Sequence, residues 1–539
     1  MTGLFGIVSK EECAKTLFFG VDYHSHLGTQ WGGMFTLRPD GIFDRRNESI
    51  ETAQFKSVFH SEVRHLRGRS GIGAISDSDR QPLISEGRFQ DGYQHYAITT
   101  SGRITNVGEL ADALCAEYDL PSEELFFEKR RDGHNEVEVV SKMINQGSTI
   151  PEGIVNMHDM IDGSCSLLLL TREGLYAARD KHGKTPLVVG KRGDDWAVSS
   201  ETCAFPNLKF DTYKFLEPGE IVLIDDKGVS TVKEGVPEDL NICRFLWIYT
   251  GNIASYYEGI NVAEVKLNCG GLLAEKDADL NVEIVTGIPD SGTGHAIGYV
   301  NRRVEMAQEQ SLVSFEDYVV KFVMENMDRL KQEGTVNDEM VRALLKKDYG
   351  ALEEIMARPP MFAEPSIKYR DGYARSYTPP DQEKRDEVAL MKQIPIGAIL
   401  AEGWNELTRE KVRGRSVVIC EDSIVRNTQL RNLIEKLWSY GVGEIHARVA
   451  CPPLTSPCPY LVATKKQEEL AARRAIWEIE GSHIEDISEY TDPTTAKYEQ
   501  MVDIIRRDLN VSTLKYLSRD ENVKAIGLPA ESSCDVCWK

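Results

Sequence analysis

The spacing of apolar residues changes character twice along the chain. Up to about residue 235, short apolar runs such as 166–171, 187–190 and 220–224 are separated by Gly, Asp and Asn. Runs of this length between turn-forming residues predict strands of large sheets, with few helices. Residues 241–300 then pair a helical pattern, about 258–276, with a buried strand at 282–288. The same alternation returns at 415–450 and predicts an α/β unit with a parallel sheet. Residues 303–358 are charged, with Phe315, Tyr318, Val319, Phe322, Val323, Met327 and Leu330 at helical spacing, and read as a helical insertion. The polar stretch 378–392 contains Pro379-Pro380 and reads as a loop or lid. Two domains are predicted, 1–235 and 236–539.

Composition narrows the function classes. A chain of 539 residues exceeds one hydrophobic core. The formal charge of −22 argues against a nucleic-acid binder or a protein held on an anionic membrane. No apolar run approaches the roughly 20 residues of a membrane helix. The start, Met1 to Val8, is apolar but has no basic stretch or cleavage pattern, so no signal peptide is predicted and a cytoplasmic location is expected. In that compartment the eleven cysteines do not form a disulfide framework. Cys13, Cys115, Cys165, Cys203 and Cys269 stand singly in apolar or mixed segments and read as core residues. Cys534 and Cys537 are different: their CxxC spacing suits a metal ligand pair or a redox pair.

The most specific chemistry lies at 417–428. The apolar segment Val417 to Cys420 ends in two adjacent acids, Glu421 and Asp422. The loop Ser423, Ile424, Val425, Arg426, Asn427, Thr428 follows, and then a helical pattern from Gln429 to Tyr440. Loop amides and a helix start hold a phosphate, while paired carboxylates accept hydrogen bonds from vicinal hydroxyls. A sugar phosphate is the ligand that fits.

Several further motifs lie in a fixed order: 3–8 (GLFGIV), 177–183 (AARDKHG), 200–204 (SETCA), 217–220 (EPGE), 288–292 (IPDSG), 421–428 and 450–453 (ACPP). With them the chain resembles the glutamine phosphoribosyl pyrophosphate (PRPP) amidotransferases, over nearly its whole length. The resemblance implies an N-terminal Ntn-hydrolase-like glutaminase domain with four αββα layers, then a type I phosphoribosyltransferase domain with a parallel sheet. By resemblance, Glu421 and Asp422 hold the ribose hydroxyls, Ser423–Thr428 cradle the 5′-phosphate, and Asp290, Ser291 and Gly292 form the pyrophosphate loop. Lys368, Arg370 and Arg375 would be lid contacts to pyrophosphate. Mg²⁺ would be held mainly by PRPP, with Asp422 a candidate contact. One class of the family carries a [4Fe–4S] cluster, and its ligand positions match Cys243, Cys458, Cys534 and Cys537. The resemblance also implies purine biosynthesis, an amine acceptor and a homo-oligomer, dimer or tetramer.

The glutaminase motifs depart from the family. Thr2 stands where the family has its cysteine nucleophile. Ser76, within 74–79 (AISDSD), replaces the arginine that grips the glutamine carboxylate. Ser101 replaces the oxyanion asparagine, and His134 the aspartate that binds the α-amino group. Loss of one oxyanion donor costs on the order of 3 kcal/mol in barrier. The expectation is a degenerate glutaminase domain joined to a transferase that uses ammonia or another amine. The alternatives are a non-catalytic PRPP-binding or regulatory protein, and a conventional glutamine-dependent enzyme. Two departures touch the transferase half: Asn427 replaces a glycine in the phosphate loop, and Asp371 replaces the lid tyrosine.

Overall fold

The computed structural model describes residues 2–130, 133–309, 361–362, 366–368, 393–395, 413–426, 428–461 and 466–539. The N-terminal half contains two antiparallel sheets. One has seven strands in the order Asp211–Phe215, Val188–Arg192, Asp195–Ser199, Gly3–Val8, Ser70–Ser76, Trp31–Leu37, Phe43–Ser49. The other has six: Val229–Lys233, Ile221–Ile224, Leu175–Ala178, Gly163–Leu170, Gly92–Ile104, Leu83–Phe89.

Alternation along the strands explains the layering. Leu4, Ile72, Leu168, Leu170 and Val198 meet between the sheets. Their neighbours Phe5, Ile7 and Ala197 face outward onto Leu17, Phe18 and Val21 of the helix Ala14–Asp22. Leu167 and Leu169 face the other way, onto Val140, Met143 and Ile154. Both faces of each strand are therefore covered, which is why 166–171 reads as one apolar run instead of alternating. The four layers are αββα. Helices are more numerous than the sequence pattern suggested. Val107–Tyr118, Glu136–Ile144 and Ile150–Met160 roof the second sheet, the latter two capped by Asn135 and Thr149. Each is nine to twelve residues long, too short to stand out from the strands beside it.

The C-terminal half is built on a five-stranded parallel sheet in the order Met361–Phe362, Ile284–Gly287, Ser416–Glu421, Glu444–Val449, Thr513–Tyr516. The helix expected from about 258 begins later, at Val262, because Asn261 caps it by accepting from the Glu264 amide. Residues 256–261 instead form a small hairpin, turned by Glu258 and Gly259 at positive φ. The expected insertion at 303–358 does not begin a new element: 303–309 continue a helix running from 293. Residues 310–358 and the expected lid at 378–392 lie outside the described residues. Among the described residues no helix is long and apolar enough to cross a membrane.

The halves are joined by buried polar contacts. Glu201 of the first half accepts from Tyr257 Oη (2.7 Å), Ser255 Oγ (3.1 Å) and the Asn252 amide (3.3 Å) of the second. Arg179, fully buried, donates to Glu258 at 2.8 Å.

Candidate functional site

The parallel sheet has one switch point. From Ile284–Gly287 the chain leaves towards Met361–Phe362 on one side, then returns to Ser416–Glu421 on the other. Ligands of open α/β sheets bind at the carboxyl ends of strands flanking such a point. The segments 288–292 and 422–426 follow the two strands there. The first is fastened to the neighbouring strand, the Ile288 amide donating to the Cys420 carbonyl at 3.0 Å, and closes on itself, the Gly292 amide donating to the Ile288 carbonyl at 2.7 Å. Gly292 has a steric reason to be glycine, since a Cβ there would lie 2.4 Å from the Cys420 carbonyl oxygen.

Glu421 and Asp422 sit at this point, both buried. Ser423 Oγ donates to Asp422 at 2.7 Å, and the Asp422 amide to Glu421 at 3.2 Å. Burial first, and then the charge of Asp422, push the Glu421 carboxyl well above its usual range. A pair arranged this way is poised for hydroxyl donors or a cation, either of which stabilises the ionised form. Ile424 is buried, with Ser423 and Val425 partly so. Arg426 is turned aside: it pairs with Glu469 (Nε to Oε2 2.7 Å), so its guanidinium braces the loop from outside. The helix Thr428–Ser439 begins directly after the loop. Asn427 lies outside the described residues. Asp290 is exposed and Ser291 half-buried on the neighbouring loop. Lys368 ends the short strand Ser366–Lys368, paired with Gln393–Pro395. Arg370, Asp371 and Arg375 lie outside the described residues.

The sequence reading missed Lys266, buried on the helix Val262–Glu275 beside these loops. Its signal was available: a lysine on the apolar stripe of Val262, Val265, Cys269 and Leu273.

The four cysteines are gathered from three distant segments. Strands Ile242–Cys243 and Ser533–Cys534 pair in parallel, placing Cys243 opposite Cys534. The Cys537 carbonyl accepts from the amides of Thr455 and Ser456 at 3.0 and 3.2 Å, two to three residues from Cys458. Burial pushes the Cys243 thiol up, and the charges of Cys534 and Cys458 push it further. Cys537 is raised by burial and then by Cys458, Cys243 and Cys534. These backbone contacts bring the three segments that carry the four cysteines together. Among the described residues no three His, Cys, Asp or Glu side chains could hold a metal ion. By its chemistry alone, an all-thiolate set of four would suit an iron–sulfur group or zinc.

Around Thr2 the chemistry is different. Its hydroxyl lies 3.3 Å from Ser76 Oγ and accepts from Gln81 Nε2 at 3.3 Å, while Ser101 Oγ donates to its carbonyl at 2.7 Å. Ser76 also accepts from the amides of Ser78 and Asp79, so it caps a turn. Asp77 accepts from the amide and hydroxyl of Thr29. His134 packs against Phe126, with ring centres 4.8 Å apart. Thr2 is buried within a network of hydroxyls and an amide.

A family profile described as "Glutamine amidotransferase domain" matches residues 69–207. The amidophosphoribosyltransferase of Bacillus subtilis (strain 168) is 24% identical over 99% of this chain and 92% of that protein. That of Methanothermobacter thermautotrophicus is 26% identical over 99% and 93%. Among solved structures, "Structure of the allosteric regulatory enzyme of purine biosynthesis" superposes with a TM-score of 0.71 at 23% identity, covering 100% of this chain and 95% of that one. "Glutamine phosphoribosylpyrophosphate (PRPP) amidotransferase from B. subtilis complexed with ADP and GMP" gives 0.70 at 22% identity, covering 100% and 96%. Along nearly its whole length this chain is similar in sequence to the amidophosphoribosyltransferases, and it shares the fold of the two solved structures.

Proposed function

We propose that this protein is a phosphoribosyltransferase that moves the phosphoribosyl group of Mg–PRPP onto an amine, and that the amine is ammonia not drawn from glutamine. The observation that carries the first part is the buried Glu421–Asp422 pair at the switch point, between the 288–292 loop and the helix Thr428–Ser439. In this reading the two carboxylates hold the ribose hydroxyls, with Asp422 also the candidate Mg²⁺ contact. Ser423 to Thr428 enclose the 5′-phosphate, and 290–292 face the pyrophosphate. The amine nitrogen bonds to C1 as the bond from C1 to the pyrophosphate oxygen breaks; the nitrogen then loses a proton and pyrophosphate leaves. The developing positive charge on the sugar favours a site that positions the partners and excludes water.

The amine source has two readings. The relatives' names and the glutamine amidotransferase profile over 69–207 favour the conventional glutamine-dependent enzyme. The residues themselves favour ammonia: Thr2 replaces a thiol, and Ser76, Ser101 and His134 stand where glutamine's carboxylate, oxyanion and ammonium would be met. We place the weight on the residues, because glutamine hydrolysis depends on those four groups and a fold keeps its profile without them. Cys243, Cys458, Cys534 and Cys537 would hold the iron–sulfur group, which would fasten the C-terminal tail to the 455–458 segment. A cytoplasmic location and a homo-oligomer complete the reading.

The test is pyrophosphate release from Mg–PRPP by the purified full chain, with ammonium or glutamine as the nitrogen source. Release with ammonium alone is expected. Equal release with low-millimolar glutamine at a pH where free ammonia is scarce would favour the conventional reading. No release with either would sink the enzyme.

A further inference from the structure

Lys266 is only 4% exposed. A lysine that deep needs partners for its ammonium. Two main-chain carbonyls are among them: Nζ donates to Ile248 and to Ser291, each at 3.0 Å. Ser291 belongs to the loop after the strand Ile284–Gly287. Ile248 lies in the turn Leu246–Thr250, a few residues past Cys243. Gly294 makes room for the lysine, since a Cβ there would stand 3.0 Å from Lys266 Cβ.

His295 completes the junction. Its Nδ1 lies 3.1 Å from the Lys266 carbonyl and its Nε2 3.2 Å from the Ile248 carbonyl. Carbonyls only accept, and burial followed by the charge of Lys266 pushes this ring down to about 3. A neutral imidazole donates through one nitrogen, so it serves one of the two carbonyls.

We infer that Lys266 is a positioning residue for the loop 288–292: its ammonium pins the Ser291 carbonyl to the Ile248 turn. The inference rests on the proposed function in one respect, that this loop receives pyrophosphate. A carbonyl held to an ammonium does not turn towards a bound anion, so the pinned loop keeps its amide-bearing side for the ligand. The charge of Lys266 also opposes the burial and the Asp422 repulsion that raise Glu421. Through Ile248 the loop is tied to the segment that follows Cys243.

The experiment uses the full chain, purified anaerobically, as wild type, Lys266→Met and Lys266→Arg. Amide hydrogen exchange is measured without ligand, and Mg–PRPP affinity by calorimetry. In Lys266→Met, exchange across 288–292 should accelerate by about tenfold or more, with strands Ser416–Glu421 and Glu444–Val449 unchanged, and affinity should fall by about tenfold. Lys266→Arg, which keeps charge and donors, should recover much of both. If Lys266→Met does not fold, Lys266→Gln takes its place, keeping one donor and no charge. Unchanged exchange at 288–292, equal acceleration throughout the sheet, or an arginine variant no better than methionine would each overturn the inference. A wild type that fails to bind Mg–PRPP would instead overturn the proposed function, and the exchange data would still decide whether Lys266 holds the loop.

Discussion

Replacing Glu201 by glutamine should loosen the two halves of the protein from each other. Glu201 is almost fully buried. It accepts from His26 Nε2 at 3.0 Å within its own half and from Asn252, Ser255 and Tyr257 in the other. Burial alone would push this carboxyl up. The charge and hydrogen bond of His26, the charge of His24 and the bond from Tyr257 outweigh it and hold the group at about 2, against 4.5 for a free glutamate. At about 1.4 kcal/mol per unit, that gap corresponds to about 3 kcal/mol favouring the folded, ionised state. Glu201→Gln keeps the shape but puts an amide NH₂ where donors converge. We expect a loss of about 2–3 kcal/mol in denaturant unfolding at pH 7, with faster amide exchange at 250–257. A lowered carboxyl contributes its full stability above the unfolded value of 4.5 and loses it as pH falls towards 2. The gap between wild type and variant should therefore narrow below pH 4.5. Equal stabilities at pH 7, or a gap that stays constant into acid, would refute the reasoning.

Three other outcomes follow from the same physics. Burial lowers His24 to about 4 and His295 to about 3, against 6.5 when unfolded. Both histidines fold neutral, so their contribution is full above pH 6.5 and falls as pH drops through 4 and then 3; thermal melts should weaken steadily from pH 7 to pH 4, and a flat profile would contradict this. Anaerobically purified protein should be brown with about four irons per chain, and Cys537→Ser should lower both iron content and stability; zinc or no metal would count against the cysteine assignment. Incubation with glutamine should release no glutamate above a heat-killed control, whereas release abolished by Thr2→Ala would restore the glutaminase.

The parallel sheet and its acidic pair were legible because their signals are local: a buried strand, two carboxylates and a helix start lie within a dozen residues. The αββα half was legible as strands, since runs such as 166–171 are apolar on both faces. Its helices were underestimated because Glu136–Ile144 and Ile150–Met160 are short and their apolar faces have meaning only against the second sheet. The start at Val262 turned on one capping side chain, Asn261. Glu201 was not legible as an interface residue, and Lys266 showed only as a lysine on an apolar helical stripe, without its partners. A buried charge is recognised by what surrounds it, and their partners come from residues 18 to 175 positions away. The side chain of Arg426 was not legible either: it turns to Glu469, which leaves only its backbone for the loop's proposed phosphate cradle.

The central claim is that the carboxylate pair at the switch point binds the ribose of PRPP. Calorimetric titration of Mg–PRPP into the full, anaerobically prepared chain tests it most directly, with wild type beside the double variant Glu421→Ala, Asp422→Ala. Each carboxylate should supply a charge-assisted hydrogen bond worth roughly 1.5–3 kcal/mol, partly offset by removing negative charge near a polyanion. The account predicts saturable binding by wild type and an affinity at least about tenfold weaker in the double variant. No binding by wild type at millimolar PRPP, or equal binding by both proteins, would contradict it.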